Sequence, residues 1–186
     1  MRASLRLVAA FSLLVSLASV TGCGSAAMPA SYAQNPLAPA GPLAAQAKAL
    51  PEIKRRTLDG ATFDTVAERA RGKKVTVVKF FAKYCEPCKR SLPWFQQFAK
   101  EHPEVAVLGI AEDERESDVR DVATTFGLTF PIVHDTGNAL SGRFRVSDMP
   151  ITFVADESGK IRWVGGPDQT EADLVGAVSA SSSSSK

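Results

Sequence analysis

The chain has 186 residues, 45% of them hydrophobic and 23% charged, the make-up of a globular protein with one well-filled core and some length left over at both ends. Its formal net charge is +2, and loss of a leader carrying Arg2 and Arg6 would bring the side-chain balance to zero. A balance so close to neutral excludes an electrostatic argument for nucleic acid and does not name a partner.

Residues 1–22 place Arg2 and Arg6 ahead of an apolar run over 7–20 and then small residues, the layout of an export signal. The run is shorter than the roughly 20 apolar residues of a comfortable membrane span. Val20-Thr21-Gly22-Cys23 resembles the lipobox of bacterial lipoproteins, an aliphatic residue and two small ones before a cysteine. That resemblance implies cleavage before Cys23 and attachment of lipid to it; the alternative is an ordinary secretory signal with an incidental cysteine. Residues 23–50 are rich in Ala, Pro and Ser, carry a single charge at Lys48, and cannot build a core. They are expected to be a semi-extended tether, stiffened by proline, that holds the folded domain off the membrane.

The folded domain is expected over 51–178. Asp59-Gly60, set between β-prone residues of 57–63, signals a hairpin with a two-residue turn. Residues 64–71 read as a short helix stopped by Gly72, and 75–81 as a strand so continuous in Val and Phe that both its faces must be covered. Lys79 interrupts that strand. It is read as lying at the strand's margin with its ammonium snorkelling to water; an ammonium that instead reached Cys88 would stabilise a thiolate there. A helix follows from about Cys85 to Glu101, closed by His102-Pro103. Leu92, Phe95, Phe98 and Ala99 are spaced to face the sheet, and Pro93 is set to bend the helix. Then come a buried strand over 105–111, an acidic run over 112–114, and a helix over 117–126 stopped by Gly127. A short strand over 130–133 and a short helix over 138–144 lead to a strand over 151–154. Glu157-Ser158-Gly159 turns it into an antiparallel partner over 161–164. The last helix is expected over 168–178 and a disordered serine tail over 179–186. Strands alternating with helices and ending in a hairpin imply an α/β fold, a central mixed sheet flanked by helices.

Cys85-Glu86-Pro87-Cys88 lies where the 75–81 strand runs into its helix, and in such sheets function gathers where strand ends meet helix starts. Two cysteines separated by two residues can close a small disulfide ring. The partial positive charge of unpaired N–H groups at the helix start favours the thiolate of Cys85. Pro87 suits an early helical position, which has little use for an N–H. The rival reading is half of a zinc site, which needs two more ligands. Cys23 belongs to the leader, and His102 and His134 lack the usual paired spacing, so no metal is expected. A structural staple usually closes a longer loop than this one.

On these residues the stretch 57–178 resembles the thioredoxin superfamily, and within it the TlpA/ResA-like membrane-tethered thiol–disulfide oxidoreductases. The resemblance rests on CEPC after a hydrophobic strand, on Pro93 at the helix-kink position, and on Met149-Pro150 where the family has a cis-proline before a strand. The Asp59-Gly60 hairpin and an extra helix–strand segment before Pro150 also match. The resemblance implies a thioredoxin-like fold with a TlpA-type insertion, Cys85 and Cys88 as the catalytic pair, and Glu86 and Pro87 as the motif between them. It places Met149 and Pro150 beside the sulfurs, where the Met149 backbone would take an extended substrate segment as an added strand. It also implies a monomer whose only redox group is the Cys85–Cys88 disulfide, with no further cofactor. Its substrates would be protein thiols or disulfides, apocytochrome c among them, and its electrons would come from a membrane thiol transporter of the CcdA or DsbD kind. With lipid on Cys23 the domain would face the periplasm, or another exported side of the membrane. The chain departs from the family at three places: Lys79 stands where plain thioredoxin has a buried Asp, Ser91 where ResA-like proteins often have an acidic residue, and Tyr84 where a Trp usually precedes the first cysteine.

The direction of transfer follows from thiolate stability. Glu86 sets a negative charge beside Cys85 and against the helix dipole, which favours a reductant; the alternative is a solvated first-turn acid that only interacts with the helix dipole. From a different class, Cu(I) bound by Cys85 and Cys88 with His134 as a distal ligand would resemble the Sco-type chaperones, whose cysteines are spaced by three residues rather than two. A peroxiredoxin is disfavoured, because Ala82 stands where that family has the Thr that helps to position its peroxidatic cysteine. Otherwise His102 is read as a helix-end residue and His134 as a loop pair with Asp135.

Overall fold

A computed structural model describes residues 49–183, so the expected leader, Cys23 and nearly all of the tether lie outside the described residues. The tether's last two positions already belong to the domain: Leu50 is buried and its N–H donates to the Gly159 carbonyl at 2.7 Å, while Ala49 bridges Lys160. An antiparallel ribbon follows, β1 (Lys54–Arg56) with β2 (Thr62–Asp64). The expected hairpin is present, but its loop has five residues rather than two. Thr57 Oγ1 bonds to Asp59 and to the Ala61 carbonyl, and Asp59 accepts the Ala61 N–H, so side chains satisfy the wider turn. Gly60 takes the positive φ of 88° that the turn requires. Asp64 then caps α1 (Thr65–Ala70) by accepting the N–H groups of Val66 and Ala67.

The remaining elements are β3 (Val75–Phe81), α2 (Glu86–Glu101), β4 (Ala106–Ala111), α3 (Glu116–Thr125), β5 (Ile132–His134), a 3₁₀ turn, α4 (Ala139–Phe144), β6 (Ile151–Asp156), β7 (Ile161–Gly165) and α5 (Glu171–Ser183). The sheet order is β5-β4-β3-β6-β7, with β3, β4 and β5 mutually parallel and β6 and β7 antiparallel to their neighbours. This is the expected mixed sheet. β3 is central and every one of its residues is buried, as its near-continuous apolar run requires. Its alternate residues feed two cores. Val75, Val77 and Phe81 pack with Leu92, Phe95 and Phe98 of α2, Val119 of α3 and Leu174 of α5; Val78 and Phe80 pack with Phe63, Leu140 and Phe144 on the other face.

The serine run expected as a tail instead carries α5 on to Ser183. Ser181 is fully buried with its hydroxyl donating to the Ala177 carbonyl at 2.7 Å, and Ser179, Ser182 and Ser183 likewise bond back to carbonyls in the preceding turn. Such back-bonding lets serine occupy helical positions its intrinsic preference would not choose. Among the described residues no helix is long and apolar enough to cross a membrane.

Candidate active site

β3 ends at Phe81, and the Ala82 carbonyl accepts the Cys85 N–H at 3.1 Å, a tight turn that sets Cys85 as the N-cap of α2. In that position Cys85 Sγ accepts the N–H of Cys88 at 3.2 Å, one of the unpaired donors of the helix start, so the same donor stands ready for a thiolate. Pro87 lies in the first turn, as expected. The two sulfurs are bonded and the Cα atoms lie 5.2 Å apart. Cys88 is wholly buried and Cys85 retains 7% exposure, so the pair is asymmetric: a partner meets the first sulfur and not the second.

A groove of about 510 Å³ opens over Cys85. Tyr84, Glu86 and Pro87 line it from the cysteine side, Val146, Ser147, Asp148 and Met149 from the loop opposite, and Glu112 from the end of β4. The Met149–Pro150 peptide bond is cis, as the resemblance implied, with Pro150 buried and Met149 partly so. Cys85, Glu86, Pro87 and Met149 therefore line one groove, with Cys88 bonded to Cys85 beneath it and Pro150 following Met149; Cys23 lies outside the described residues. Glu112 was missed as a site residue. The signal was its position at the end of the strand beside β3, which carries it to the same sheet edge as the CEPC turn.

The charges around the groove favour the solvated reading of Glu86. Glu86 is 72% exposed and Lys89 Nζ lies 2.5 Å from its Oε1, so its charge is countered by a neighbour and screened by water. Its pull on the Cys85 thiolate is accordingly weak. Burial pushes the Glu112 carboxyl above the usual carboxylate range; the hydrogen bond from Ser141 at 2.6 Å opposes this, and the charges of Asp135 and Asp113 add to it. Partial burial, with Glu112 and Asp113, raises the Tyr84 phenol.

Lys79 does not snorkel. It is the fifth residue of seven in β3, flanked in register by Gly109 of β4 and Thr152 of β6, and its exposure is 0%. Trp94 and Phe95 of α2 close over it, with Nζ 5.3 and 5.1 Å from their ring centroids, and Nζ has no hydrogen-bond partner. Burial alone lowers its pKa to about 7. Its register partner Gly109 has no room for a side chain of its own, since a Cβ there would stand 2.8 Å from Phe130 and 2.9 Å from Phe81. Ser91 is buried with its hydroxyl donating to the Cys88 carbonyl at 3.0 Å. His134 engages both ring nitrogens, Nε2 with the Asp113 carbonyl at 2.7 Å and Nδ1 with Thr136 Oγ1 at 3.3 Å, and it does not line the groove over Cys85.

Comparison with known proteins agrees with this geometry. The model of the AhpC/TSA family matches residues 47–164. The chain is 33% identical over 116 residues to the thioredoxin-like protein YneN of Bacillus subtilis, covering 60% of this chain and 66% of that protein, just under two thirds of its length. It is 31% identical over 133 residues to the thiol-disulfide oxidoreductase ResA of Bacillus thuringiensis, covering 69% of this chain and 74% of ResA. The crystal structure of StoA from Bacillus subtilis superposes with a TM-score of 0.60 at 26% identity, over 69% of this chain and 98% of StoA.

Proposed function

This chain belongs to the AhpC/TSA family, and from that premise we propose that it catalyses thiol–disulfide exchange with protein substrates through Cys85 and Cys88. The observation that carries the reading is the asymmetric pair: a bonded Cys85–Cys88 at the start of α2, its first sulfur opening into the groove and its second wholly buried. In the reducing direction the Cys85 thiolate attacks a partner disulfide, one partner sulfur leaves as a thiolate, and a mixed disulfide forms. Cys88 then attacks Cys85 Sγ, which reforms the intramolecular bond and releases the second partner sulfur. The partner gains two electrons and the domain dithiol loses them. Glu86 and Pro87 shape the rim beside Cys85. Across the groove, Met149 and Pro150 offer backbone to an extended partner segment.

Physiologically the protein is a lipid-anchored reductant of the cell envelope, fixed by Cys23 and facing the exported side. It draws electrons from a membrane thiol transporter of the CcdA or DsbD kind and serves protein disulfides such as those of apocytochrome c. The export-signal layout of residues 1–22 and the likeness to ResA support this wider reading. The test is a Cys88→Ser variant in cells, which should accumulate partners bonded through Cys85, visible as adducts that a reductant dissolves. A Cys85→Ser, Cys88→Ser double variant should show none. Equal adduct levels in the two variants would overturn the proposal.

A further inference from the structure

The acidic run that follows β4 contains a buried carboxyl that the exchange chemistry above leaves unused. Asp113 is 5% exposed. Its Oδ1 accepts the Lys83 N–H at 2.9 Å, across a separation of 30 residues in the chain, while Oδ2 is buried and has no hydrogen-bond partner among the described residues. The backbone around it is fixed from both sides. The Asp113 carbonyl lies 2.7 Å from His134 Nε2, and the N–H of Glu112 donates to the Phe81 carbonyl at 3.1 Å, which locks the end of β4 to the end of β3. Among the described hydrogen bonds the carboxyl therefore serves one group, the main-chain N–H two residues before Cys85.

A buried carboxyl with one oxygen unpaired is costly, and such costs gather where function requires them. Residues 82–85 form the turn on which the site depends. The Cys85 N–H donates back to the Ala82 carbonyl at 3.1 Å, and Cys85 leaves the turn with φ −87° and ψ 100°, the extended conformation of an N-cap. From there its Sγ meets the Cys88 N–H at 3.2 Å. The Lys83 ammonium takes no part in the hold on Asp113, since it reaches to Asp118 and Asp121 on α3 at 2.8 and 2.9 Å. The link between Asp113 and the turn is a single hydrogen bond to the main chain.

Resting on the proposed exchange reaction, we infer that Asp113 is a positioning residue for Cys85: its carboxyl anchors the Lys83 N–H, fixes the 82–85 turn, and so keeps Cys85 Sγ on the Cys88 N–H. Asp113 acts through the main chain and not through its charge. The two effects have opposite signs. Removing a nearby negative charge favours the Cys85 thiolate, whereas a turn released from its anchor takes Sγ off the helix-start donor and disfavours it. The other titratable groups are the same in either case: Asp118, His134 and Lys83 act on Asp113, and Tyr84, Glu86, Glu112 and Asp148 line the groove over Cys85.

The test reduces the full-length protein and follows alkylation by iodoacetamide as pH is varied, read at Cys85 itself by fragment mass spectrometry. The wild-type midpoint is expected below the value of about 8.5 of a free cysteine. Asp113→Ala should raise it by about one pH unit, so that Cys85 reacts about tenfold more slowly at a pH below both midpoints. Asp113→Asn keeps an oxygen for the Lys83 N–H and removes the charge, so its midpoint should stay at or below that of the wild type. A wild-type midpoint in Asp113→Ala, or an equal rise in both variants, would overturn the inference. With no variant needed, the Lys83 amide of the reduced protein should exchange with solvent deuterium about a hundredfold more slowly than an unprotected amide. Exchange at the unprotected rate would overturn it as well. A wild-type Cys85 that titrates like a free cysteine and exchanges with no thiol buffer would overturn the exchange reaction and this inference together. Ordinary exchange with a Cys85 indifferent to Asp113→Ala would overturn this inference alone.

Discussion

A lysine without a hydrogen-bond partner in the core costs stability whenever it is charged. The folded pKa of Lys79 is about 7 against 10.5 for the free side chain. Between those values the unfolded chain holds a proton that the folded chain does not, so stability rises with pH across this window; below about 7 the penalty is fully present. Each unit of the depression corresponds to about 1.4 kcal/mol. Lys79→Met should therefore raise the urea midpoint at pH 6 and abolish the rise between pH 7 and 10; parallel curves for the two proteins would contradict this. The sequence alone placed the lysine correctly in β3 and misjudged its exposure. A single-residue pattern shows that a charge interrupts an apolar run, whereas the closure of Trp94 and Phe95 over it is a property of helix docking. Glu86 shows the same limit in the opposite sense, since its salt bridge to Lys89 follows from an i,i+3 spacing that was readable but was not weighed.

The elements that hold the site in place make their own predictions. Asp64 satisfies two N–H groups at the start of α1, and Asp64→Ala should cost about 1 kcal/mol in denaturant unfolding while leaving the Cys85–Cys88 pair unaffected. Gly109 lies in β4 beside Lys79, with two aromatic side chains where its Cβ would be. Gly109→Ala should cost about 1–3 kcal/mol by overpacking. An unchanged urea midpoint in either variant would show that the packing described at that position does not bear on stability. Periodicity made nearly every element legible: the buried run of β3, the spacing of Leu92, Phe95 and Phe98 on α2, and the hairpin of β6 with β7 all follow patterns visible in the chain. The misplacements sit at ends and turns. The loop after β1 widened because Thr57 and Asp59 bond within it, and α5 ran on because serine hydroxyls bond back to the preceding turn.

For the molecule as a whole, the strand order sets the function-bearing edge. β3 and β4 run parallel and end together, so the CEPC turn and Glu112 emerge side by side, and the Met149–Pro150 loop feeding β6 comes up against them. That convergence could be anticipated at the cysteines and at the cis-proline from family resemblance; the contribution of Glu112 needed the sheet. Beyond the domain, Cys23→Ala should shift the protein from the membrane to the soluble fraction of cells, and persistence in the membrane would refute the anchor. The central claim, that Cys85 and Cys88 form an exchanging couple and not a staple, is tested most directly by equilibrating the full-length protein against thiol buffers of defined potential. The account predicts a reversible two-electron couple near about −250 mV, in the range of thioredoxin-like reductants. A value near about −120 mV would reverse the direction of transfer, and a bond still closed in buffers poised below about −300 mV would contradict the account.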